Sequence, residues 1–189
     1  EGLSVSNVRT PNRSGEEMKI GICGKMASGK TTMAEALSHH QYFQYTIISM
    51  AGEVKRVGRE LFGMTKKDRP LLQQIGMKMR EIRESVWLDA VILQSKNHDF
   101  VVCDDVRFVN EAKNLKDDGW VLVKLDIDED LQKSRLQSTY GDDWEVHWNN
   151  RSDPSEAEVD KIPLDWFDLV IPAANDDSPM DALASFLGW

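Results

Sequence analysis

Gly24-Lys25-Met26-Ala27-Ser28-Gly29-Lys30-Thr31 places two glycines, an ammonium group and a hydroxyl at the offsets G-x-x-x-x-G-K-[ST]. Glycines at those positions let the backbone curl until successive N–H groups point inward at an anion. The lysine adds a point charge for the outer oxygens of a polyphosphate, and the hydroxyl is a hard ligand suited to Mg²⁺. The apolar run Ile20-Gly21-Ile22-Cys23 precedes the loop and a helix-compatible run follows it, so a helix N-terminus adds partial positive charge at the same point. The motif predicts a nucleoside triphosphate held with Mg²⁺ by Gly24, Lys25, Ala27, Ser28, Gly29, Lys30 and Thr31, with Thr32 just beyond.

A metal-bound polyphosphate needs a carboxylate. Phe100-Val101-Val102-Cys103 is an apolar strand that runs into Asp104 and Asp105. Adjacent strand residues point to opposite faces, so one of the two carboxylates faces the metal and the other meets a second substrate. Arg107 follows, where its guanidinium can fork onto an anionic group.

Further cations suit a second phosphate. Ser49-Met50-Ala51-Gly52-Glu53-Val54-Lys55 opens a helix after a strand, with Lys55 one turn in. Arg80 and Arg83 lie three apart on a later helix and are predicted to share a face, with Trp87 following at a helix start. Charge for a phosphate and a ring for a base together fit a nucleoside monophosphate; a solvated basic face beside a core tryptophan is the plainer alternative. Lys133 and Arg135 precede the irregular stretch 137–161, and Arg151 lies within it. A long irregular insert reads as a lid whose arginines neutralise the moving phosphoryl group and exclude water.

The elements that must position these residues alternate. Candidate strands are Lys19–Cys23, Tyr45–Met50, Phe100–Asp104, Val121–Asp126 and Leu169–Ile171. Candidate helices are Thr31–Ser38, Gly52–Leu61, Leu71–Arg83, Val86–Lys96, Val109–Asp117, Glu129–Ser138 and Met180–Leu187. Alternation of this kind predicts an α/β fold with a central parallel sheet, helices on both faces, and ligands at the carboxyl ends of the strands. Residues 1–17 read as a flexible leader, and 18–189 as one domain containing the lid.

The 189 residues are 41% hydrophobic and 29% charged, ordinary for a globular domain, and the net charge of −9 supplies no general field for nucleic acid. No apolar run reaches membrane-span length and no signal peptide is visible, so a cytoplasmic location is expected. The two cysteines, Cys23 and Cys103, read as buried reduced thiols, and the four histidines lack ligand spacing with them.

These segments resemble the phage-type deoxynucleoside monophosphate kinases, within the P-loop nucleotide kinases. Asp105-Val106-Arg107-Phe108-Val109-Asn110-Glu111-Ala112 is similar to that family's D-V-R-F-x-N-E-A signature. Residues 49–55 are similar to its S-F-A-x-x-x-K segment, and Leu71-Leu72-Gln73-Gln74-Ile75-Gly76, Arg80 and Trp87 follow its L-L-Q-x-x-G…R…W order. Ser155-Glu156 falls where the family often shows H-x-S-E, and residues 171–176 resemble its closing strand and adenine-side loop. The resemblance implies a P-loop kinase-like three-layer sandwich and Mg²⁺-dependent phosphoryl transfer from ATP to a deoxynucleoside monophosphate. It also implies small-molecule nucleotide partners, a homodimer and, for a phage protein, a host-cytoplasm location. It carries Arg80, Arg107 and Asp105 over to the monophosphate and Lys30 with Thr31 to ATP; Ala51, Lys55, Trp87 and Glu111 are expected beside them at the monophosphate, and Asn175 with the loop at ATP. The chemistry of the residues themselves gives Thr31 and a carboxylate of Asp104 or Asp105 to the metal, and Lys30, Arg107, Arg135 and Arg151 to catalysis. Three positions depart from the pattern, with Asp153 for a common histidine, Met50 for Phe and Val109 for Pro. Two other readings of the loop are a P-loop kinase of another small acceptor, such as a dephospho-coenzyme A or a sugar acid, and a non-catalytic nucleotide switch. The absence of N-K-x-D weakens a GTP form of the latter.

Overall fold

Five short strands form one parallel sheet in the computed structural model of the chain, which describes residues 17–149 and 157–189. They are β1 (Met18–Gly24), β2 (Thr46–Ile47), β3 (Phe100–Val106), β4 (Val121–Asp126) and β5 (Leu169–Pro172), in the spatial order β2-β3-β1-β4-β5. β1 is therefore central, pairing Met18 with Phe100 on one side and Ile20 with Val121 on the other. The first crossovers leave β1 in one direction and β4 lies in the other, so the chain reverses at β1. A crevice opens beyond the carboxyl end of a strand at such a switch point.

Both faces of the sheet are covered, which explains the near-continuous apolar runs. The helices are α1 (Lys30–Ser38), α2 (Met50–Phe62), α3 (Arg69–Ile82), α4 (Val86–Ser95), α5 (Val109–Asp117), α6 (Glu129–Tyr140), α7 (Trp144–Asn149) and α8 (Ser178–Leu187). On one face Ile20, Ile22, Val102 and Val123 pack with Met33 and Leu37 of α1 and Leu183 and Leu187 of α8. On the other, Cys103, Val101 and Leu122 pack with Trp87, Leu88 and Val91 of α4 and Leu115 of α5. The alternation of Val101, Val102 and Cys103 between the two clusters is the period of two a strand imposes. Each fully buried Leu, Ile or Val contributes about 1.5–3 kcal/mol.

Sequence and structure differ in β2 and in the stretch after α6. The strand expected over Tyr45–Met50 is ladder-paired only at Thr46–Ile47, because Ser49 caps α2, its hydroxyl accepting the Gly52 N–H at 3.0 Å. The expected irregular insert is partly helical. α6 runs on to Tyr140, and a 3-10 turn (Gly141–Asp143) leads into α7. The rings of Tyr140 and His147 stack with centroids 3.6 Å apart, and Lys133 Nζ lies 4.8 Å from the Trp148 ring centroid. Those aromatic contacts across a turn hold α7 on α6, a pattern hidden in sequence by the acidic residues around it. Among the described residues, no helix is long and apolar enough to cross a membrane.

Candidate active site

The loop between β1 and α1 is a wrapped turn. The Ser28 N–H donates to Lys25 O at 3.2 Å, Ala27 sits in the left-handed region at φ 62°, and Gly29 follows at φ 101°. Positive φ at a non-glycine residue is strained and persists where surroundings enforce it. A Cβ on Gly24 would fall 2.5 Å from Ser28 Oγ and 2.8 Å from the Leu125 carbonyl, so only glycine fits there. Lys30 is 8% exposed and folds back over the loop, its ammonium donating to Gly24 O and Lys25 O at 2.7 Å each. Ser28 Oγ is, among the described residues, the buried side-chain polar atom without a hydrogen-bond partner. A buried hydroxyl left unpaired costs about 1–3 kcal/mol, and its place inside a curled loop is what an anion-binding cradle requires.

The loop forms one wall of a cleft of about 880 Å³ at the carboxyl ends of β1, β3 and β4. That cleft brings together Ala27, Ser28, Gly29, Lys30, Thr31, Thr32, Ala51, Lys55, Asp104, Asp105, Arg107 and Arg135. The two carboxylates divide as strand alternation requires. Asp104 Oδ2 accepts from the Thr31 hydroxyl at 3.1 Å, giving two hard oxygens side by side at the first turn of α1. Asp105 turns to the head of α2, where Oδ1 accepts the Met50 N–H at 3.1 Å and Oδ2 the Ala51 N–H at 2.8 Å. The Cys103 thiol donates to the same Oδ1 at 3.2 Å, and burial raises its pKa well above the usual thiol value. Both cysteines are buried free thiols; burial pushes Cys23 up to about 12.

The oxygen pair of Thr31 and Asp104 fits Mg²⁺, which takes one or two protein oxygens and completes its shell with phosphates and water. Asp105 is committed to backbone amides, so its place in the structure is that of an anchor between β3 and α2.

Arg135 reaches into this cleft from α6. Its Nη1 donates to Ala27 O at 2.8 Å, Nε to Asn175 Oδ1 at 3.0 Å and Nη2 to the Ala174 carbonyl. The guanidinium thus joins the loop to the segment before α8, which also carries Asn175. Lys25 lies on the outside, its ammonium 2.8 Å from Asp160.

Arg80, Trp87 and Glu111 line a second groove, of about 660 Å³, with Met50, Phe108 and Val109. Trp87 lines that groove as a core residue: it is 3% exposed and its indole N–H donates to Gly76 O at 3.2 Å. Glu111 accepts the Arg107 and Phe108 N–H groups on Oε2 at 2.9 and 3.1 Å, fixing the backbone that presents Arg107. Burial pushes its carboxyl up to about 6, against the lowering effect of those two N–H groups. Arg83 does not share the face of Arg80. It is the residue after α3, with an extended backbone, and pairs with Asp89 at 3.2 Å. Arg151 and residues 153–156 lie outside the described residues. The sequence reading missed Gln132, whose amide Nε2 donates to Met26 O at 2.9 Å; its polar side chain on a polar helix carries no local signal.

The fold is that of the P-loop kinases. A gluconokinase from Sinorhizobium meliloti 1021 superposes with a TM-score of 0.56 at 15% identity, covering 95% of this chain and 93% of its own. A shikimate kinase from Bacteroides thetaiotaomicron gives 0.56 at 15%, covering 91% and 99%. A shikimate kinase from Aquifex aeolicus vf5 gives 0.53 at 18%, covering 90% and 94%. No protein-family model matches the chain, and neither does any curated protein.

Proposed function

We propose that the protein is a deoxynucleoside monophosphate kinase, transferring the γ-phosphoryl group of ATP to the phosphate of the acceptor. One observation carries the reading: the curled loop with its unpaired buried Ser28 hydroxyl shares a cleft with Lys55 and Arg107, cations from two other elements. Loop amides and Lys30 hold the β- and γ-phosphates. Lys55 and Arg107 in the cleft hold the acceptor phosphate, and the nucleoside lies in the groove that Arg80, Trp87 and Glu111 line. Thr31 and Asp104 would hold Mg²⁺, which supplies positive charge to the phosphate oxygens when bound. An acceptor oxygen bonds to the γ-phosphorus, the bond to the β,γ-bridging oxygen breaks, and ADP leaves with the electron pair. Positioning and charge neutralisation lower the barrier.

A phosphate acceptor is ionised at neutral pH and needs no base. Lys55 and Arg107, two cations lining the cleft with the loop, match a dianionic phosphate better than a neutral alcohol. The second reading, a kinase of another small acceptor such as a sugar acid, draws on the shikimate kinases and gluconokinase of like fold. An ADP-release assay with each deoxynucleoside monophosphate, shikimate, gluconate and dephospho-coenzyme A separates the two. Release with a monophosphate alone supports the proposal; release only with the other acceptors overturns it.

A further inference from the structure

The apex of the phosphate loop is held from outside. Met26 O accepts from Gln132 Nε2 at 2.9 Å and Ala27 O from Arg135 Nη1 at 2.8 Å, both donors one helical turn apart on α6. Lys25 is tied in turn to Asp160, on the short 3-10 helix Glu158–Lys161. In a planar trans peptide the C=O and the next N–H point in opposite directions. A Met26 carbonyl drawn toward α6 therefore turns the Ala27 N–H the other way, toward the cradle. An Ala27 carbonyl drawn toward α6 likewise turns the Ser28 N–H inward, where it closes the turn on Lys25 O. The same pull holds Ala27 at φ 62°, a conformation alanine does not favour by itself.

We infer that Gln132 is a positioning residue for the triphosphate site, holding the loop's N–H groups turned inward before any ligand arrives. Gln132 is 4% exposed, so water does not substitute freely for the bond to Met26 O. Gln132 acts through the loop and touches no reacting atom. Since α6 leads into α7 and Arg135 crosses to Ala174 and Asn175, the same helix links the cradle to the segments on either side of the cleft. The inference rests on the reading of the loop as a triphosphate site, and its test is split so that the two fail separately.

The test compares the unmodified chain with Gln132→Leu, which keeps the volume and removes the donor, and Gln132→Lys, which restores one. Amide hydrogen exchange of residues 26–29 in the free protein reads the brace directly. Exchange there should speed up in the leucine variant while strands β1 and β4 keep their protection. The Kd for a non-hydrolysable ATP analogue with Mg²⁺ should rise about tenfold, the worth of one buried hydrogen bond. The KM for ATP should rise with it, and that for the acceptor should stay within twofold. Gln132→Lys should recover most of both effects. Unchanged exchange at 26–29, or a loss of protection spread over the whole sheet, overturns the inference. If the unmodified chain fails to bind the analogue, the kinase reading fails, and the exchange result alone decides whether Gln132 holds the loop.

Discussion

Asp104 and Asp105 are neighbours in sequence that face opposite ways, and under the proposed reaction exchanging each for asparagine separates chemistry from architecture. Asp105 takes two N–H groups at the head of α2, at 3.1 and 2.8 Å. Asp105→Asn replaces one acceptor oxygen by an amide that faces a backbone donor, losing one charge-assisted bond worth about 1.5–3 kcal/mol. The negative charge at a helix N-terminus adds about 0.3–1 kcal/mol. The sum is about 3 kcal/mol, which for a chain of this size lowers Tm by about 6–12 °C. Asp104 accepts one bond, from the Thr31 hydroxyl near the surface, so Asp104→Asn costs less than about 1 kcal/mol of stability. Its loss is in turnover, by about 100-fold or more, equivalent to about 2.7 kcal/mol in the barrier, together with a raised Mg²⁺ requirement. Circular-dichroism melting and ADP release titrated with Mg²⁺ measure the two effects. An Asp105→Asn protein that melts within 2 °C of wild type, or that alone shows the altered Mg²⁺ requirement, refutes the division of labour.

Three other perturbations follow from the same geometry. Lys30→Met removes an ammonium group that spans two loop carbonyls; at an effective dielectric near 20 a charge pair about 4 Å apart is worth about 4 kcal/mol, so ADP release should fall about 1,000-fold. Arg107→Ala should raise the KM for the monophosphate at least about tenfold while the KM for ATP stays within threefold, and equal effects on both would remove Arg107 from the acceptor side. Glu111 ionises near pH 6 in the folded protein against 4.5 for an ordinary glutamate, so the folded state binds the proton more tightly and loses stability as pH rises through that window. The loss is about 2 kcal/mol; Glu111→Gln should abolish it, and melting curves that stay parallel from pH 4 to 7 would contradict the assignment.

How much of this was legible beforehand depends on where each signal sits. The curled loop with its strand and helix reads directly, since G-x-x-x-x-G-K-[ST] after an apolar run is a local pattern. The bounds of α5 and β4, at Val109–Asp117 and Val121–Asp126, also follow from local periodicity. The division between Asp104 and Asp105 followed from strand alternation in kind, but which carboxylate faced Thr31 needed the distance. The apolar residues Ile47, Ile48 and Met50 predict a longer β2 than the ladder shows, because the Ser49 cap turns the chain into α2. Arg83 was misplaced because α3 ends one residue before it. The tie between Gln132 and Met26 joins residues 106 apart in sequence, and no local pattern marks such a contact.

The central claim is that one cleft seats a donor triphosphate and an acceptor phosphate face to face. A crystal structure with an adenosine–deoxynucleoside bisubstrate analogue, the two nucleosides joined through a polyphosphate, tests it most directly. The expected complex has the adenosine-side phosphates in the loop at 24–31 and the opposite phosphate beside Lys55 and Arg107, with its base in the groove of Arg80 and Trp87. An analogue bound elsewhere, with the loop empty, would contradict it.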